Sequence, residues 1–117
     1  MKITVVNDFS KTPGGRKIEE GSFSGEAFLR DVLFPKYQDA VSNNEILEID
    51  FDGTFGYSPS FLDESFGGLV RKTKEKGILD NIEIESKDDL TLERRIKECV
   101  QEAEKSIGGG KDDEQKN

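Results

Sequence analysis

Apolar and polar residues follow different rhythms along the chain, and each rhythm predicts an element. Ile3, Val5 and Val6 make Lys2–Asn7 a strand, because β-branched side chains suit a pleated surface. Thr12-Pro13-Gly14-Gly15 is a turn, with proline fixing φ and glycine tolerating positive φ. Arg16–Glu20 reads as a short returning strand. Ser22–Phe34 has helical spacing, with Ser22 or Ser24 as the cap and Ala27, Phe28 and Val32, joined by Leu29 and Leu33, as the apolar stripe. Pro35 is expected to stop or kink this helix at Phe34, since proline disfavours α geometry in the residue before it. Helix then resumes over Lys36–Val41, before a turn at Ser42-Asn43-Asn44.

The second half repeats the scheme. Glu45–Phe51 carries Ile46, Leu47, Ile49 and Phe51, which predicts a central strand covered on both faces. Asp52–Ser58 is a loop at its carboxyl end, where sites form in open α/β sheets. Pro59–Lys76 is a helix with Phe61, Leu62, Phe66, Leu69 and Val70 on one side and Gly77 as its terminator. Its Gly67-Gly68 pair predicts a close approach to the sheet or to a partner. Leu79–Glu85 alternates Ile82 and Ile84 with Glu83 and Glu85, the pattern of an edge strand. A last helix begins between Lys87 and Thr91 and runs to Ile107, with Leu92, Ile96, Cys99, Val100, Ala103 and Ile107 at steps of three and four. Residues 1–107 thus read as one domain, and residues 108–117 as a disordered polar tail. Strands alternating with helices predict an α/β fold. It has a small mixed, mainly parallel sheet of about four strands packed by three to four helices.

Composition narrows the function. Leu, Ile, Val and Phe supply 31 of the 117 residues, enough for a core, and eight of them are Phe with no Trp. The net charge of −8 disfavours nucleic acid and anionic membrane surfaces, and admits a basic partner. There is no His and one Cys, which excludes His-dependent catalytic dyads and a His- or Cys-rich zinc site. Cys99 falls on the apolar stripe of the last helix, where packing is its expected role. No run approaches the roughly 18 apolar residues that a membrane-spanning helix needs. The start of the chain has no signal-peptide pattern, so cytoplasmic residence is expected. No glycine-rich nucleotide loop is present, and no cofactor is implied.

One short motif carries enzyme chemistry. Asp50-Phe51-Asp52-Gly53-Thr54 at the end of an apolar strand resembles the first motif of the haloacid dehalogenase-like phosphatases. That resemblance implies Asp50 as nucleophile, Asp52 as general acid/base and a bound magnesium ion. Lys74 or Lys76 would be the phosphate lysine, and Asp88-Asp89 the later metal carboxylates. Only one strand follows the motif, where that family needs several, and Phe55–Ser60 leaves no room for a cap insertion. As plain structure, Asp52-Gly53 is a turn pair and the aspartates bond loop amides.

Two longer stretches point elsewhere. Gly14-Gly15-Arg16 with Gly21–Arg30, and Ile49–Leu69 containing Ser-Phe-Leu-Asp-Glu-Ser-Phe-Gly-Gly-Leu, resemble the bacterial STAS-like family of unknown function. That family is similar to anti-sigma factor antagonists and to the cytoplasmic domains of sulfate transporters. The resemblance implies no enzyme activity and no cofactor. In the antagonists a serine or threonine at the helix start after a central strand is phosphorylated by a partner kinase, an ATP-binding anti-sigma factor. On their pattern Phe55 matches, Ser58 falls at the phosphoacceptor position, Tyr57 replaces an Asp, Pro59 a Ser, and Ser60 a Gly.

The expected function is therefore a regulatory domain that binds a protein partner, with Ser58 or Ser60 as candidate phosphoacceptor and Asp52, Thr54, Tyr57, Ser58 and Asp63 as contact residues. Ser58 before Pro59 also suits a helix N-cap, and Ser60 with Asp63 offers a rival capping box. Phe55 and Tyr57 serve as interface anchors if exposed and as core if buried. Arg16 and Arg30 are expected to pair with Glu26 or Asp31 at the surface. The rivals are the magnesium-dependent phosphatase and a small-molecule sensor in the same crevice.

Overall fold

A computed structural model of the chain describes residues 1–14, 24–54 and 57–108. Its sheet has three parallel strands, β1 (Lys2–Thr4), β2 (Leu47–Asp50) and β3 (Ile82–Glu85), in that spatial order. Ile3, Ile49 and Ile84 form one row across the sheet, and Lys2, Glu48 and Glu83 the next. β2 is central and β3 an edge, as their patterns predict. About four strands were expected and three are present among the described residues; Arg16–Glu20 lies outside them. Among the described residues all strand pairing is parallel.

β2 is not covered on both faces. Leu47 and Ile49 are fully buried, whereas Glu48 is exposed between them and Ile46 is 46 % exposed. The face opposite the core carries Lys2, Glu48, Glu83 and Glu85, with Lys2 Nζ 3.7 Å from Glu85. The apolar letters of this strand are real; their assignment to two buried faces is corrected by the strict alternation of the pleat. β1 also ends sooner than its β-branched residues suggest. Val5–Asp8 turns into a single helical turn, α1, which Asp8 fixes by accepting the Thr4 amide at 2.7 Å.

Two long helices connect the strands. The first is α2 (Gly25–Phe28) continued through Leu29–Leu33 into α3 (Phe34–Ser42). Ser24 caps it, accepting the Ala27 amide at 3.1 Å. Pro35 does not stop it. A proline inside a helix removes a donor and crowds the carbonyl four residues back. Here the helix widens by one residue, and the Phe34 amide donates to Leu29 O, five residues back. The second long helix is α4 (Pro59–Leu62) continued through Asp63–Gly67 into α5 (Gly68–Thr73). It widens in the same way, with the Gly68 amide donating to Asp63 O. Ser65 Oγ donates to Phe61 O at 2.7 Å within this stretch, taking a carbonyl that an amide would otherwise use. Lys74, with φ of 58°, ends the helix before Gly77, which instead opens the short turn Ile78–Asn81. That turn occupies the predicted start of β3. The last helix, α6, spans Leu92–Gly108, so Gly108 belongs to it and residues 109–117 lie outside the described chain.

The two long helices meet where both widen. A Cβ on Gly25 would sit 2.6 Å from Phe61 O, and one on Gly68 would sit 2.8 Å from Leu29 Cδ2. Gly68 of the glycine pair thus serves a helix–helix crossing and not the predicted approach to the sheet, while Gly67 faces the Asp63 and Arg71 side chains of its own helix. Phe28 lies at the centre of the core, with ring centroids at 5.1 Å to Phe9, 5.6 Å to Phe61, and 6.4 Å to both Phe51 and Phe66. Leu92, Ile96, Val100 and Ala103 bring α6 against the same core.

Candidate functional site

The loops at the carboxyl ends of β2 and β3 are fastened to each other. Asp52 Oδ1 accepts the amides of Lys87 and Asp88 at 2.6 and 3.0 Å. Asp88 returns the bond, its Oδ2 accepting the Gly53 amide at 2.8 Å. Gly53 adopts φ of 87°, the left-handed geometry that glycine supplies cheaply. Asp50 Oδ1 accepts the Asp52 amide at 2.9 Å and holds the turn from within. This reciprocal clasp explains the aspartate spacing without a metal. Each carboxylate meets a backbone donor that the loop would otherwise leave to water.

A second cluster sits beside the clasp. Asp89 Oδ2 accepts from the Tyr57 hydroxyl at 2.9 Å and from Arg95 at 2.6 Å. Its other oxygen accepts the Thr91 amide and hydroxyl at 2.9 and 2.6 Å, an Asx-type turn that starts α6. The Arg95 guanidinium lies 5.5 Å from the centroid of the Tyr57 ring, which packs edge-on against Phe51 at 5.7 Å. Thr91, Tyr57 and Arg95 together hold the Asp89 carboxyl well below the usual carboxylate range. Burial, then the bond to Asp89, pushes the Tyr57 hydroxyl up to about 12. Leu90 stands between Asp89 and Thr91 and is 86 % exposed.

The predicted site residues divide clearly. Asp52 and Tyr57 are half-buried members of these clusters. Ser58 is the N-cap of α4, accepting the Phe61 amide at 3.1 Å, with Pro59 at the first helical position. Ser60 is half-buried, but its proposed capping box with Asp63 does not form; Asp63 meets Arg71 at 3.6 Å. Thr54, predicted as a contact residue, is buried and donates to Phe51 O at 2.6 Å, so it faces inward. Phe55 and Arg16 lie outside the described residues. Arg30 pairs with Asp31 at 2.7 Å on the surface, as expected. Cys99, predicted to be buried, is half-buried at the rim of the core.

The phosphatase roles fare differently. Asp50 and Asp52 do lie at the strand end, but Asp52 and Asp88 are turned onto amides, and Asp89 onto Tyr57, Thr91 and Arg95. Lys74 and Lys76 follow the far end of the second long helix, about 20 Å from Pro59 at roughly 1.5 Å per residue. Among the described residues no group of three or more His, Cys, Asp or Glu is arranged to hold a metal ion. Among them, too, no helix is long and apolar enough to cross a membrane.

Sequence reasoning missed Arg95 and Leu90. No pattern in the sequence separates Arg95 from the other charges of α6. Leu90 fell in an unassigned stretch between strand and helix, where a lone leucine off the apolar period was the only signal.

A strand-to-helix junction of this kind, on a small parallel sheet packed by helices, defines an α/β domain with a polar, clasped carboxyl edge. Residues 24–91 match the family described as the STAS-like domain of unknown function, DUF4325. The chain belongs to that family. The matched span runs from the cap Ser24 to Thr91 and includes both loops of the clasp. No curated protein and no solved structure matches the chain.

Proposed function

We propose that the chain is a non-catalytic regulatory module that docks a protein partner on the carboxyl edge of its sheet. The surface is formed by the β2–α4 loop, the start of α4 and the β3–α6 loop, with Asp52, Tyr57, Ser58 and Asp63 around it. The observation that carries this reading is Leu90. It is 86 % exposed, yet it sits between two residues that hydrogen bonds fix in place. A single exposed leucine is common on protein surfaces; what favours this one as an anchor is its place on a loop already ordered by its neighbours, so that docking there orders little further backbone.

Chemistry at this edge supports binding over turnover, because Asp52 and Asp88 accept backbone amides and Asp89 accepts from Tyr57, Thr91 and Arg95. The partner class that the resemblance implies is an ATP-binding kinase of the anti-sigma type, and Ser58 is the modification site it would use. A phosphate on Ser58 would displace the cap at the Phe61 amide. It would also add about −1.5 to −2 charges beside Asp63, at the positive end of the second long helix. Binding would change while the buried core stayed in place.

The test is quantitative capture of partners on the immobilised chain. Wild type, Leu90→Asp, Ser58→Asp and a distant surface control, Val41→Asp, are compared. Proteins retained by wild type and by Val41→Asp, but lost from Leu90→Asp and Ser58→Asp, support the docking edge. Equal retention by all four defeats it. Asp50-dependent hydrolysis of a generic phosphomonoester in magnesium would establish the phosphatase instead.

A further inference from the structure

Beside the docking edge, the start of the second long helix and α6 enclose an open groove of about 360 Å³. Its apolar lining is Pro59, Leu62 and Cys99, with Leu62 buried and Cys99 half-buried. Its rim is acidic, formed by Asp63 from one helix and Glu98 and Glu102 from the other. Arg95 closes one end, but its charge is committed to Asp89 at 2.6 Å. The rim carboxylates have cationic neighbours: Arg71 at 3.6 Å from Asp63, Arg94 at 4.0 Å from Glu98, and Lys105 at 3.3 Å from Glu102. None of those three cations lines the groove. Exposed pairs of this kind exchange partners readily because they contribute little.

Glu98 and Glu102 are four residues apart on α6, so they present two carboxylates one helical turn apart along the groove. A helix laid in the same groove, with Lys or Arg one turn apart, would meet both. An aliphatic side chain between them would rest on Cys99 and Pro59. The net charge of −8 draws such a segment in from a distance.

We infer that the groove between α4 and α6 docks a basic amphipathic helix of the protein partner. An aliphatic residue covers Cys99 and Pro59, and flanking Lys or Arg side chains pair with Glu98 and Glu102. The inference rests on the reading of the chain as a partner-binding module, and it extends the docking surface from the loops onto α6. Helix-in-groove recognition of this type takes affinity from the apolar seat and orientation from the rim charges.

The experiment uses the full chain and defined probes. A display library of helical peptides is selected on the wild-type chain, and the selected peptides are synthesised and measured by fluorescence anisotropy. The peptides should carry Lys or Arg flanking Leu or Ile. Their affinity should fall about tenfold or more on the double variant Glu98→Lys/Glu102→Lys. It should fall again on Cys99→Phe, which fills the groove, and stay unchanged on Val41→Asp. The charge-reversed variant changes only exposed positions, so its fold is checked by thermal melting and the test survives even if Cys99→Phe misfolds. Selection of no peptide, selection without basic bias, or equal affinity for the charge-reversed variant overturns the inference. The docking-edge reading is judged separately, by capture on Leu90→Asp. Capture lost there with no groove binding would leave the module standing without this seat.

Discussion

The two long helices and the carboxyl edge of the sheet are built on opposite principles. Where α2–α3 crosses α4–α5, closeness is achieved by leaving atoms out: Gly25 lies against Phe61 O, and Gly68 against Leu29. Four phenylalanines then fill the space around Phe28. At the carboxyl edge, closeness is achieved by adding acceptors: Asp52, Asp88 and Asp89 each take donors from across the loop junction. The first region is dry and intolerant of added volume. The second is polar, held by hydrogen bonds that each contribute modestly, and it carries the exposed Leu90.

The comparison can be broken at its strongest point first. Phe28→Ala should cost about 3–5 kcal/mol in denaturant unfolding, the usual range for emptying an aromatic core position. A loss below about 1 kcal/mol would mean that the core is not organised around this ring. Gly25→Ala should cost about 1–3 kcal/mol, since the new methyl must displace a backbone carbonyl. If Gly25→Ala is neutral or stabilising, the two helices do not cross so tightly.

The clasp should respond more gently. Asp52→Ala removes one acceptor shared by two amides and should cost about 1 kcal/mol. Its sharper signature is local: hydrogen exchange at the Lys87 and Asp88 amides should accelerate while the amides of Phe28 and Ile49 stay protected. Uniform acceleration would show that edge and core unfold as one unit.

The smallest effect is electrostatic. The folded Tyr57 hydroxyl is pushed up to about 12, above the ordinary tyrosine value near 10. Between those values the folded chain keeps a proton that the unfolded chain has released, so stability falls as pH rises through that window. Tyr57→Phe should flatten that part of the stability–pH curve. The Asp89 carboxyl acts in the other direction. Its folded value is depressed, so its contribution is present above the ordinary carboxylate value near 4 and is lost as pH falls below it. Asp89→Asn should weaken that acid-side loss.

Much of the core was legible in the sequence because it obeys a period. Phe61, Leu62, Phe66, Leu69 and Val70 on one helix, and Leu92, Ile96, Val100 and Ala103 on another, are buried as their spacing requires. Pro35 was misleading for a local reason: its rule concerns regular α geometry, and a one-residue widening sidesteps the clash. The glycine pair announced a close approach but not its partner, because Leu29 lies about 40 residues away in sequence. The edge was half legible. Ser58 capped a helix and Asp52 held a turn, as residue types alone suggest. The bonds from Asp52 to Lys87 and Asp88, and from Tyr57 to Asp89, join segments more than 30 residues apart, and no local pattern encodes them. Leu90 and Arg95 gain meaning only from those bonds.

The most direct measurement is calorimetric titration of a partner captured by the wild-type chain into wild type and Leu90→Asp. An exposed loop residue contributes little to folding, so the melting temperatures should agree while the affinity falls at least about tenfold. Equal affinity for the two chains, with folding intact in both, would contradict the assignment of this edge as the docking surface.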